Sequence, residues 1–160
     1  MPKKVPIIAT NKSIEKLHDQ QVSDLVKQLG NIPLSDSTLR KQAKEMNLPQ
    51  FKGVLMQNSK MPEGNCTYII NIDMMGGAGL HWVAIVQQNK TSYVYDSFGR
   101  RASNLITHYT NTMKTRGYKV RNTDLSDQDQ YGSRSVDCGH RCLSALKIYK
   151  TQGLAAYKRL

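Results

Sequence analysis

The chain has 160 residues, 39% of them hydrophobic, with 23 Lys and Arg against 12 Asp and Glu and a formal charge of +11 at pH 7. That length makes a single domain able to bury about two-thirds of the surface its unfolded form exposes. Three cysteines exclude a disulfide scaffold and fit a reducing compartment. No apolar run approaches membrane-spanning length, and Val5-Pro6-Ile7-Ile8-Ala9 is too short and too broken by proline for a signal peptide.

In chain order, residues 1–50 read as a helical N-terminal part and 51–160 as a catalytic core. From Ser13, read as an N-cap, Ile14, Leu17, Val22, Leu25, Val26 and Leu29 recur on one helical stripe until Gly30. A second helix begins near Ser35 or Asp36 and carries Leu39, Ala43 and Met46 before Leu48-Pro49 stops it. Phe51–Met56 reads as an extended run, and Tyr68–Ile72 as a buried strand leading into a glycine loop, Gly76-Gly77-Ala78-Gly79. His81–Val86 and Thr91–Asp96 are β-branched and aromatic strands around a polar turn, Gln87–Lys90. A helix over 104–114, a short strand at Tyr118–Val120 and a helix from Cys138 to Gly153 complete an α+β fold in which helices flank a mixed central sheet.

Four pieces in the second half carry chemistry: His81-Trp82, Asp96-Ser97-Phe98-Gly99, Gln128 with Gln130, and Asp137-Cys138-Gly139. In order they offer a general base, a carboxylate to orient it, an amide donor for an oxyanion and a thiol nucleophile. With the hairpin turn centred between Gln88 and Asn89, His81 and Asp96 face each other directly, with Cβ atoms about 4.5–5.5 Å apart. A centre moved by one residue leaves them diagonal neighbours on one face, and a three-residue loop puts them on opposite faces. Cys138 opens a run of good helix formers, so it sits where the macrodipole and free N–H groups favour the thiolate and can face an oxyanion. Gly139 beside it allows close approach.

The remaining thiols read as bystanders: Cys66 in a loop after Gly64-Asn65, and Cys142 one helical turn after Cys138. Cys138, His140 and Cys142 form C-x-H-x-C. Positions two apart on a helix point to different sides, and no paired CxxC exists elsewhere, so no metal site is assigned.

From about Phe51 to Leu146 the chain resembles the adenain-like and SUMO-protease-like cysteine peptidases, above all the maturation proteases of virophages and Polinton-type elements. The likeness lies in Phe51–Met56 with Met61-Pro62, Gly79–Ala84, Tyr95–Gly99 and Cys138–Cys142. It implies a papain-like fold and a triad of Cys138 as nucleophile, His81 as base and Asp96 as orienter, with a Gln in the oxyanion hole. Relatives commonly place that Gln six or seven residues before the Cys, whereas Gln130 and the alternative Gln128 lie further upstream. In the family the aromatic at Trp82 lies by the active site, which gives it a shielding role; the strand pattern by itself packs it on the side away from His81. The implied activity is a cysteine endopeptidase that processes viral capsid or other structural precursors at small-residue sites, Gly-Gly or Gly-X. The alternatives are an isopeptidase acting on ubiquitin-like modifiers and a catalytically silent, basic DNA-binding virion protein. The enzyme is expected as a monomer in the virion and in host cytoplasm or a viral factory. Met74-Met75-Gly76-Gly77 looks like such a cleavage site, although turn geometry is the ordinary use of those glycines.

The basic excess is C-terminal: residues 100–160 hold 12 Lys and Arg against 4 Asp and Glu. Arg100, Arg101, Lys114, Arg116, Lys119 and Arg121 are candidates for a DNA-binding face, with Lys147, Lys150, Lys158 and Arg159 adding to it. No cofactor is required for the chemistry; DNA and a peptide activator are the accessory factors that the resemblance implies.

Overall fold

A computed structural model of the chain describes residues 5–7, 10–73, 80–98, 106–124 and 136–160. The first helix, α1 (Asn11–Leu29), begins one turn earlier than the sequence predicts. Thr10 is its N-cap, accepting from the Ser13 backbone N–H at 3.2 Å, and Ser13 lies inside the helix. Gly30, at φ 91°, ends it in the left-handed region that favours glycine. Helix α2 (Asp36–Glu45) is capped by Ser35 through the Thr38 N–H, and Asn47 turns left-handed just before Leu48-Pro49.

Five strands form one mixed sheet in sequential order: β1 (Phe51–Met56), β2 (Cys66–Asp73), β3 (Leu80–Gln88), β4 (Thr91–Tyr95) and β5 (Lys119–Asn122). The outer pairs β1–β2 and β4–β5 are parallel and the inner pairs antiparallel. Cys66 is the first residue of β2 rather than part of a loop, because it pairs with Gln87 of β3; its side chain is buried and its Sγ reaches Gly64 O at 3.6 Å. Burial pushes this thiol up, away from the reactive thiolate, although the Lys52 charge pulls the other way.

The β3–β4 hairpin turns on two residues, Asn89 and Lys90, both with positive φ. Such a turn matches the twist of the strands. Ala84 therefore pairs with Tyr95 and Gln88 with Thr91, so His81 and Asp96 are not directly opposed. The turn centre lies one residue later than direct opposition requires. Parity survives, and the two remain on one face as diagonal neighbours, Asp96 lying just beyond the end of β4.

The sheet separates two apolar layers. On one side Ile69, Trp82, Ala84, Val86 and Tyr95 pack with residues of α1, α2, α4 (Cys138–Gln152) and α5 (Leu154–Lys158). On the other, Tyr68, Ile70, Ile72, Val83, Ile85 and Val94 pack with Tyr109 and Met113 of α3 (Thr107–Thr115). Helix α4 is central: its residues from Cys138 to Leu146 are all buried, Lys147 and Lys150 are exposed, and Tyr149 and Thr151 are partly so. The helix ends at Gly153, as its sequence predicts, whereas the pattern of residues gave no sign of α5, whose Tyr157 hydroxyl donates to Ala84 O and Tyr93 O beneath the hairpin.

Candidate active site

His81, near the start of β3, is fully buried, and its Nε2 lies 2.6 Å from Asp96 Oδ1. The same carboxylate oxygen accepts the Phe98 N–H at 2.9 Å, an Asx-type turn that fixes the carboxylate as the chain leaves β4. Phe98 then stacks its ring on the imidazole, centroids 3.8 Å apart and planes 16° from parallel. Asp-Ser-Phe thus works as a unit in which one residue orients the base electrostatically and the other covers it. The role of Phe98 is one that sequence reasoning missed; an aromatic two residues after the orienting carboxylate was the available signal.

With Nε2 committed to Asp96, Nδ1 is the nitrogen left for a nucleophile. It is buried and makes no hydrogen bond of normal geometry, yet the Cys138 sulfur is close enough to help hold the ring proton. Burial alone pushes the imidazole down; the Asp96 hydrogen bond, the Cys138 contact and the negative charge of both groups outweigh it and raise His81 to about 9.

Cys138 opens α4 and is 5% exposed. Asp137, at the N-cap position, does not cap the helix with its side chain and instead takes Arg141 Nε at 3.0 Å. The positive end of α4, at which Cys138 stands, is therefore not capped by that carboxylate.

No protein-family model matches this chain, and no curated protein matches it.

Gly139 serves packing as well as any substrate approach. A Cβ there would lie 3.2 Å from Leu34 Cβ and 3.3 Å from Leu39 Cδ2, so its bare α-carbon lets the α1–α2 connection and α2 press on the start of α4. Two hydrogen bonds hold the same connection: Trp82 Nε1 donates to Leu34 O at 2.9 Å, and His140 Nε2 meets Gly30 O at 2.8 Å. Trp82 is 2% exposed and packs in the layer that contains Cys138. Cys142 is fully buried in that layer, with its thiol pushed well up by desolvation first and by the charges of Cys138 and Asp96 next. His140 turns instead to Gly30 O, so the C-x-H-x-C residues do not converge. Among the described residues no group of three His, Cys, Asp or Glu is placed to hold a metal ion.

Gln128, Gln130, Gly99, Arg100, Arg101 and the Gly76-Gly77 loop lie outside the described residues. Of the other basic candidates, Lys114, Lys119 and Arg121 are exposed, the last two on one face of edge strand β5. Arg116 is engaged within the fold: it donates to Met61 O at 3.0 Å and pairs with Glu63 at 2.9 Å. Lys158 sits over the Tyr93 ring at 5.4 Å and extends the basic surface onto α5. No helix among the described residues is long and apolar enough to cross a membrane.

Three buried histidines set opposite pH limbs for stability: His140, pushed down by burial, acts in the same direction as His18 and against His81. Burial first, then the Arg141 charge, push His18 down to about 3, against the opposing pull of Asp137. Below the ordinary value of 6.5 the unfolded chain binds a proton at His18 that the native state refuses until about 3, so stability is lost as pH falls through that window. His81 works the other way: the native ring keeps its proton to about 9, so its contribution is complete below 6.5 and lost as pH rises. Each limb approaches about 1.4 kcal/mol per pH unit for one proton. Urea denaturation at about pH 5, 6.5 and 8.5 is expected to show the highest midpoint in the middle. A midpoint still climbing at the alkaline end would contradict the His81 assignment.

Proposed function

We propose that this chain is a cysteine endopeptidase with a papain-like arrangement of the adenain type, which processes viral capsid or other structural precursor proteins at Gly-Gly or Gly-X sites. The observation that carries the reading is the 2.6 Å bond between His81 Nε2 and Asp96 Oδ1, on an imidazole whose other nitrogen is left for a cysteine at a helix N-terminus. A base held by a carboxylate and raised to about 9 keeps its proton at neutral pH, and the partner that makes this useful is a thiolate.

In the proposed reaction the Cys138 thiolate attacks the substrate carbonyl carbon. A C–S bond forms, and the π electrons move to oxygen, opposite the N–H groups at the start of α4. The His81 imidazolium then gives its Nδ1 proton to the leaving amine as the C–N bond breaks, leaving a thioester and a neutral ring. That ring takes a proton from water, the hydroxide attacks the thioester, and the C–S bond breaks to release the acid and restore the thiolate. Asp96 holds the tautomer that makes both transfers possible, and Phe98 keeps water from the ring's face. A Gln from 128 or 130 is the further oxyanion donor in this proposal. The exposed Lys114, Lys119 and Arg121 form part of a face for DNA, whose affinity should fall steeply as salt rises.

The test is covalent labelling by a peptide vinyl sulfone ending in Gly-Gly, with and without duplex DNA. Modification confined to Cys138 supports the reading, and stimulation by DNA supports the accessory role. Turnover of a ubiquitin-like conjugate but not of a capsid precursor would transfer the site to an isopeptidase. Folded protein that binds DNA and takes no label under any condition would favour the silent virion protein.

A further inference from the structure

Far from the substrate side, α1 delivers a histidine into the layer between the sheet and α4. His18 is 4% exposed, and both ring nitrogens end on hydroxyls: Nδ1 lies 2.8 Å from Ser144 Oγ and Nε2 lies 2.8 Å from Tyr95 OH. Ser144 is fully buried on α4 and donates in turn to Gln21 Oε1 at 3.0 Å, so its oxygen is left to accept from Nδ1–H. Nε2 is then the acceptor for the Tyr95 O–H. The neutral imidazole is read in both directions at once, with the Tyr95 ring meeting it edge-on at 5.4 Å and 84°.

The two anchors have significant neighbours in sequence. Tyr95 is the last residue of β4 and immediately precedes Asp96, and Ser144 belongs to the helix that starts at Cys138. We infer that His18 is a positioning residue of the proposed catalytic site, a brace across Tyr95 and Ser144 that fixes the strand end carrying Asp96 relative to the helix carrying Cys138. The inference rests on the cysteine-peptidase reading and deepens it by making the N-terminal helix part of the active-site geometry. An imidazole suits the task because it is rigid and has two polar atoms on opposite edges. An apolar side chain of the same volume would fill the space but break both links, and with them the polar connection between Tyr95 and Ser144.

The test compares wild type, Tyr95→Phe, His18→Asn, the double variant and Ser144→Ala in the full chain, measuring iodoacetamide alkylation of Cys138 against pH beside the melting temperature. Tyr95→Phe deletes one hydroxyl. His18→Asn keeps a donor near the Nδ1 position and loses the Nε2 acceptor, so the two remove the same bond. The expected result is an alkylation rate at about pH 6 reduced roughly tenfold in each, as expected when the thiolate–imidazolium pair is displaced by a fraction of an ångström. At about pH 10, where any accessible thiol is ionised, the rates should converge. The double variant should lose no more than either single one. Ser144→Ala gives a milder change in the same direction and covers the case in which a variant fails to fold. Folded variants with lower melting temperatures and unchanged pH profiles would overturn the brace and leave the peptidase reading intact. A wild-type Cys138 that reacts like a free thiol, indifferent to His81→Ala, would overturn both.

Discussion

Replacing His81 by alanine is expected to remove essentially all peptide hydrolysis, a loss on the order of 10⁴–10⁶ in kcat, as for a member of a nucleophile–base pair that acts as a unit. In the proposed mechanism the ring, raised to about 9, holds the proton that the leaving amine needs. Its removal should also appear before any substrate is added, as slower alkylation of Cys138 at neutral pH. Asp96→Asn separates the two functions. An amide in place of the carboxylate can hold the ring by donating to Nε2, but that puts the proton on Nδ1 in the neutral ring and withdraws the negative charge that supports the imidazolium. Activity should drop by about 10²–10⁴ while Cys138 alkylation at neutral pH falls less than in His81→Ala. Full activity in His81→Ala, measured with active-site titration to exclude contamination, would remove the base from the mechanism.

Trp82→Ala should be the most destabilising single change near the site. The side chain is 2% exposed in the layer that includes Cys138, Leu34, Leu39 and Tyr95, and its indole N–H satisfies Leu34 O. Truncating a buried tryptophan costs about 3–5 kcal/mol, and the abandoned carbonyl adds about 1. Against a total stability of about 5–15 kcal/mol this threatens the native state, and the melting temperature should fall by roughly 10 °C or more. Trp82→Phe keeps most of the volume and loses the N–H, so a drop of a few degrees is expected. The pair distinguishes packing from shielding: if Trp82 acted mainly as a cover for the catalytic groups, the phenylalanine variant would keep its melting temperature and lose turnover.

What could be read from residues alone follows a physical divide. Alternation along a strand is local, so once the turn has an even number of residues the order of residues puts His81 and Asp96 on one face, and a thiol preceding a run of helix formers had to be near a helix start. The choice between two adjacent turn centres depended on whether Lys90 would accept a left-handed conformation, which a lysine does not announce. Thr10 and Ser13 are equally good caps, and the apolar stripe beginning at Ile14 fits either. His18 was hidden because it occupies a place on the core stripe of α1 that composition assigns to an apolar residue; only the arrival of Tyr95 and Ser144 from distant segments makes a buried histidine acceptable. The bare α-carbon of Gly139 suggests openness toward a substrate, and its use against Leu34 and Leu39 is a tertiary fact.

The hairpin that brings His81 and Asp96 together spans a short stretch of chain, whereas Cys138 belongs to the helix that closes the core much later in sequence. During synthesis the base and its orienter therefore leave the ribosome first, and the sulfur that they are to activate follows as an ordinary, weakly reactive thiol. Under the proposed function its chemistry should begin only when α4 docks on β3, so that ripening of the nucleophile coincides with closure of that layer of the core. In a refolding time course, mild-acid reactivity of Cys138 should rise with the final phase of native tryptophan fluorescence. Reactivity that appears in an earlier phase would separate the two events.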